Sequence, residues 1–151
     1  MDELSSLRAE VNLYNWQIFA STLVILSLMI ITTLAARLPG REDLILFVLV
    51  LGITWPFMMG RYDFLIHRIG VYLGNSGSAW EISQVRNYRR FFLLFYDAGS
   101  ALPIVVLFGS AVYQSWRLGY QKTAGSSVFL FLIGVGLLIY APMVHNGLRQ
   151  R

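Results

Sequence analysis

Four long apolar stretches divide the chain, and most of its charges are gathered between them. Trp16 to Ala36 runs 21 residues without a charge, Leu44 to Gly60 runs 17, and Ser126 to Val144 runs 19, while Phe91 to Trp116 spans 26 with a single charged residue, Asp97. A helix needs about 20 mainly apolar residues to cross the hydrocarbon core of a bilayer, so each stretch is long enough, the second only just. The runs lack the polar face that a helix in a soluble bundle turns to water. The pattern predicts an all-α, four-helix polytopic integral membrane protein. It forms a single membrane domain over residues 1–151, with spans at about 16–36, 44–60, 91–116 and 126–144.

The polar segments carry their own periodicity. Leu4, Leu7, Val11 and Tyr14 are spaced as one apolar stripe, so residues 1–15 read as a helix running straight into the first span. They do not read as a signal peptide, because the segment before the apolar run is acidic, the run is long, and no small-residue cleavage site follows it. After Gly60 the second span is expected to continue as helix, since Tyr62, Leu65, Ile69, Tyr72 and Leu73 repeat at helical spacing with Arg61, Asp63, His67 and Arg68 between them. Gly74 to Gly77 breaks that helix, and Ser78 with Glu81 makes a capping box that starts another, leading through Gln84, Arg86 and Arg90 into the third span. Residues 61–90 thus form a helical hairpin whose arms project by roughly 15 to 20 Å. Its apolar stripe would be covered by the N-terminal helix or by the hairpin of a neighbouring subunit.

Charge orients the bundle. With four crossings, both chain ends and the hairpin share one side, which holds Arg8, Arg61, Arg68, Arg86, Arg89, Arg90, Arg149 and Arg151. Arg37, Arg41, Arg117 and Lys122 lie opposite. Basic residues are retained on the cytoplasmic side, so the imbalance predicts a cytoplasmic helical layer and both termini cytoplasmic in an inner membrane. A hydrophobic content of 56% leaves little material for a soluble domain, and the absence of cysteine removes disulfide and thiolate chemistry.

Trp55, Tyr62-Asp63, Ile66, Ile69, Gly70, Tyr72-Leu73 and, after a short Gly-rich turn, Trp80-Glu81 form a pattern preceded by an LRAE helix at Leu7 to Glu10. This pattern resembles short bacterial four-helix membrane proteins. The chain is also similar in size and plan to membrane effectors of bacterial antiphage systems. That resemblance implies a pore or ion channel controlled by a nucleotide or oligonucleotide signal.

Candidate chemistry is sparse. His67 and His145 have no cysteine or carboxylate cluster to complete a metal site, and the pair Asp63 and His67 reads as a surface contact one turn apart. Neither a phosphate loop nor a nucleophile elbow is present, so no cofactor and no enzyme activity are expected. Asp97 is the residue that is costly where it stands, about 10 Å beyond Arg90 along a membrane helix. With Gly99, Ser100 and Pro103 it marks a candidate pore-lining face, small enough for close helix approach and bent at the proline. The bland alternative is a carboxylate paired near the interface. Arg61, Arg68, Arg86, Arg89 and Arg90 are candidates for binding lipid phosphate, or, as a ring contributed by several subunits, a phosphate-bearing ligand stacked on Tyr62, Tyr72, Trp80 or Tyr88. The function expected is a homo-oligomeric membrane pore or membrane-perturbing effector controlled through its basic layer. The alternative is a membrane scaffold that docks a soluble cytoplasmic partner.

Overall fold

A computed structural model of the chain describes residues 3–76 and 98–149. These residues are helical apart from two short turns. The helices are α1 (Glu3–Ala35), α2 (Leu44–Ser76), α3 (Ala98–Arg117) and α4 (Gln121–Arg149). Three stretches are long and apolar enough to cross a membrane: Ser5–Ala35 in α1, Leu44–Ile66 in α2 and Gln121–Leu138 in α4. The described part of α3 is 20 residues long and carries no charge before Arg117.

Both α1 and α2 are unbroken over 33 residues. At 1.5 Å per residue each is about 50 Å long, against a hydrocarbon core about 30 Å thick. The excess of α2 follows Ile66. The helix continues unbroken past Gly60 through Arg61 and Tyr62, as the spacing of Tyr62, Leu65 and Ile69 predicts.

The packing follows a rhombus. α2 touches all three other helices and α3 does the same, whereas α1 and α4 do not meet among the described residues. The pair α2 and α3 therefore forms the short diagonal, with α1 on one flank and α4 on the other. Lipid is as apolar as a leucine side chain, so helices in a membrane gain little from burying leucines and associate through close packing and a few polar contacts. Each kind is present. Met29 of α1, Ile45, Val48 and Leu49 of α2, and Ile104 of α3 are fully buried, with Ala111 and Ala124 where α3 and α4 turn inward. The outer faces remain apolar and exposed, among them Leu23, Val24, Ile31, Val50, Val106, Phe129 and Leu132.

Two glycines set how closely the helices approach. A Cβ on Gly52 would collide with the Phe108 ring, so the missing side chain admits that ring between α2 and α3. On its other side Phe108 stacks on Phe131 of α4, with ring centroids 4.4 Å apart and planes 19° apart. Gly134 of α4 does the same for Pro56, whose ring would sit 2.9 Å from an added Cβ. Pro56 is itself fully buried inside α2.

The turns are short. α3 ends in a Schellman arrangement: Tyr120 N–H donates to the Ser115 carbonyl at 2.9 Å and Gly119 N–H to the Trp116 carbonyl at 3.2 Å. Gly119 takes the φ of +93° that this cap requires, a conformation costly for a residue with a Cβ.

Candidate functional site

Most of the residues expected to carry function lie at one end of the bundle. Arg61 is exposed, within the Leu44–Ile66 stretch of α2. Arg68, seven positions on, belongs to the same helix. Gly99 and Ser100 stand in the first described turn of α3, and Pro103 is half-buried within that helix. Asp97, Arg86, Arg89 and Arg90 lie outside the described residues, as do the Ser78–Glu81 capping box, Trp80 and Tyr88.

At this end the N-terminal part of α1 packs alongside the outward extension of α2. The Tyr14 and Tyr62 rings meet with centroids 6.2 Å apart and planes tilted by 42°. Tyr14 O–H donates to Glu10 Oε1 one turn back at 2.7 Å, which fixes the ring's direction. Of the two possible covers for the stripe on α2, the helix of the same chain meets it at Tyr62.

Deeper in the bundle, α1 and α2 are joined by a second contact that periodicity alone does not reveal. Trp55 Nε1–H donates to Thr22 Oγ1 at 3.3 Å, and the Thr22 hydroxyl reaches Met59 Sδ at 3.8 Å. Thr22, Trp55 and Met59 are all buried, so the indole N–H and the hydroxyl are each satisfied by a partner on the other helix. The residues are 33 apart in sequence. Nothing local could have paired them.

The opposite end is closed by a side-chain clasp. Tyr120 O–H, in the turn between α3 and α4, donates to Asp43 Oδ1 at the start of α2 across 2.7 Å, joining residues 77 apart in sequence. The hydrogen bond to the carboxylate, then its negative field, then burial raise the Tyr120 phenol above its ordinary pKa. Below this clasp Ser115 is fully buried with no hydrogen-bond partner for its hydroxyl. Arg37, Arg41, Arg117 and Lys122 are all exposed around it.

Between the two ends the described interior is filled mainly by apolar side chains: Met29, Leu49, Ile104 and the Phe108–Phe131 stack occupy it. No group of three or more His, Asp or Glu side chains gathers among the described residues. No family model matches the chain, and no curated protein or solved structure matches it.

Proposed function

We propose that the protein is a non-enzymatic membrane protein that couples a basic helical layer to its membrane-embedded helices, as the subunit of a homo-oligomeric pore or membrane-perturbing effector. The supporting observation is the continuity of α1 and α2. Each runs without a break from its longest apolar run into a segment that carries charge, and the two meet at Tyr14–Tyr62 and again at Thr22–Trp55–Met59. A pair of continuous helices tied at two depths moves as a unit. Displacing its outer end therefore displaces its inner end against α3.

In this reading the layer is cytoplasmic, both termini lie on its side of the inner membrane, and the ligand is a nucleotide, an oligonucleotide or a soluble partner met by Arg61, Arg68, Arg86, Arg89 and Arg90. Because the interior of one protomer is filled, a conducting path runs between protomers. Asp97, Gly99, Ser100 and Pro103 on the third span are its proposed lining. The second reading is a non-enzymatic membrane scaffold or accessory subunit that docks a soluble partner, with which the filled interior agrees equally well.

Two measurements test the proposal. Mass determination in mild detergents or nanodiscs should give one discrete multimer, and a monomer under all conditions would remove the pore. For orientation, single cysteines at Leu38 and Thr123 should react with an impermeant reagent from outside the cell, and one at Gly77 should not. Leu38 and Thr123 are chosen because both are exposed, whereas Gly40 and Gly119 hold φ of +74° and +93° that a cysteine would strain.

A further inference from the structure

The end of the bundle away from the proposed layer carries a second arrangement of charge. Arg37 and Arg41 belong to the turn between α1 and α2, and Arg117 and Lys122 flank the turn between α3 and α4. All four are exposed. Among the described residues none of the four makes a hydrogen bond or ion pair through its side chain. The two acidic residues of this end are each engaged: Asp43 accepts from Tyr120 at 2.7 Å, and Glu42 Oε1 accepts from the Gly40 N–H at 3.4 Å. The Asp43–Tyr120 bond holds the two turns together. Arg41 and Lys122 each stand two residues from a member of that bond.

The depth of this end follows from its aromatic residues. Tyr113 and Trp116 are 64% and 55% exposed on one side of α3, in the turn of helix that ends at Arg117. Such rings settle at the boundary between acyl chains and headgroups, and a cation just beyond them stands at phosphate depth. Leu34, exposed at the end of α1 three residues before Arg37, offers an apolar flank on the membrane side of the basic residues.

We propose that the clasped turns form a composite site for the headgroup of an anionic phospholipid, with Arg37 and Arg41 supplied by one turn and Arg117 and Lys122 by the other. The guanidinium groups hydrogen-bond the phosphate, the lysine adds a point charge, and an acyl chain lies along Leu34. The clasp sets the distance between the two halves. This site is separate from the arginines of residues 61–90 and does not depend on whether the protein conducts.

The test is native mass spectrometry of the full-length protein, released from detergent with phosphatidylglycerol or phosphatidylcholine of the same acyl chains. Wild type should retain phosphatidylglycerol preferentially. Each neutralised cation should weaken retention by roughly fivefold. Arg41→Gln with Lys122→Gln, one change in each turn, should therefore reduce it at least tenfold, and adding Arg37→Gln and Arg117→Gln should reduce it further. Tyr120→Phe keeps every charge but releases the clasp, and should weaken retention several-fold. Unchanged preference in the paired variant would overturn the site, and unchanged retention in Tyr120→Phe would overturn its composite character. Displacement of the lipid by millimolar inorganic phosphate would identify a soluble anion as the true occupant and also overturn the proposal.

Discussion

Replacing Gly52 by alanine sets two opposed effects against each other at one position. The substitution favours helix, since glycine inside a helix costs roughly 0.5–1 kcal/mol relative to alanine. Against that, the new Cβ would collide with Phe108 Cδ2 and lie 3.2 Å from Cγ and 3.3 Å from Cβ. The ring has little room to withdraw. It is only 5% exposed and its far face is stacked on Phe131 at 4.4 Å. Forcing a methyl group into a filled core costs about 1–3 kcal/mol, so the net expectation is a loss of about 1–2 kcal/mol. That is a factor of roughly 5–30 in the folded-to-unfolded ratio. The control is Gly109→Ala on α3, where an added Cβ meets nothing within 4 Å and only the helix-forming gain remains. Unfolding in mixed micelles by increasing SDS, followed by circular dichroism, should give Gly52→Ala an earlier midpoint than wild type and Gly109→Ala an equal or later one. Combining Gly52→Ala with Phe108→Leu should recover part of the loss, because the two sites share one contact. Equal midpoints for the two alanine variants would refute the packing described for α2 and α3.

The same logic applies at Gly134, where alanine would press on Pro56 at 2.9 Å and on Phe57 at 3.1 Å, and the SDS midpoint should again fall by an amount corresponding to about 1–2 kcal/mol. Thr22→Val leaves the buried Trp55 N–H without its acceptor and should cost about 1–3 kcal/mol, while Thr22→Ser keeps the hydroxyl and should cost less in the same assay. Ser115→Ala removes a fully buried hydroxyl that has no partner, so it should be neutral or stabilising, and a clear loss of stability would mean that the hydroxyl is satisfied after all. The raised Tyr120 phenol gives a pH dependence of definite sign: the neutral form makes the clasp, so its contribution is complete below the ordinary tyrosine value of about 10 and disappears as pH rises through the higher folded value. The tyrosinate absorbance lost in Tyr120→Phe should therefore correspond to a group titrating above the ordinary range, and Asp43→Asn should return that group toward it.

What could be read from the sequence was whatever depends on local periodicity. The apolar stretches marked the helices, and the spacing of Tyr62, Leu65 and Ile69 carried α2 past Gly60 into its polar extension. The contacts that fix the bundle were not legible in the same way, because each joins residues distant in the chain. Thr22 with Trp55 and Asp43 with Tyr120 depend on which helix faces which, and four nearly uniform apolar helices give little indication of their facing sides. Gly52 and Gly134 are in the same position: glycine is common in membrane helices, and only the packed structure distinguishes these two, which admit Phe108 and Pro56, from Gly109, Gly125 and Gly136, which face open space. The expected carboxylate Asp97 and the arginines Arg86, Arg89 and Arg90 lie outside the described residues.

Ion flux through reconstituted vesicles tests the central claim most directly, with wild type compared against Asp97→Asn and Asp63→Asn. A path between protomers lined by the third span predicts that wild type conducts with cation preference from a ring of carboxylates and that Asp97→Asn lowers conductance or selectivity while the multimer stays intact. Asp63→Asn, on the polar extension of α2, should leave permeation as it was. Flux and selectivity unchanged in an assembled Asp97→Asn protein would contradict the pore and leave the scaffold reading in its place.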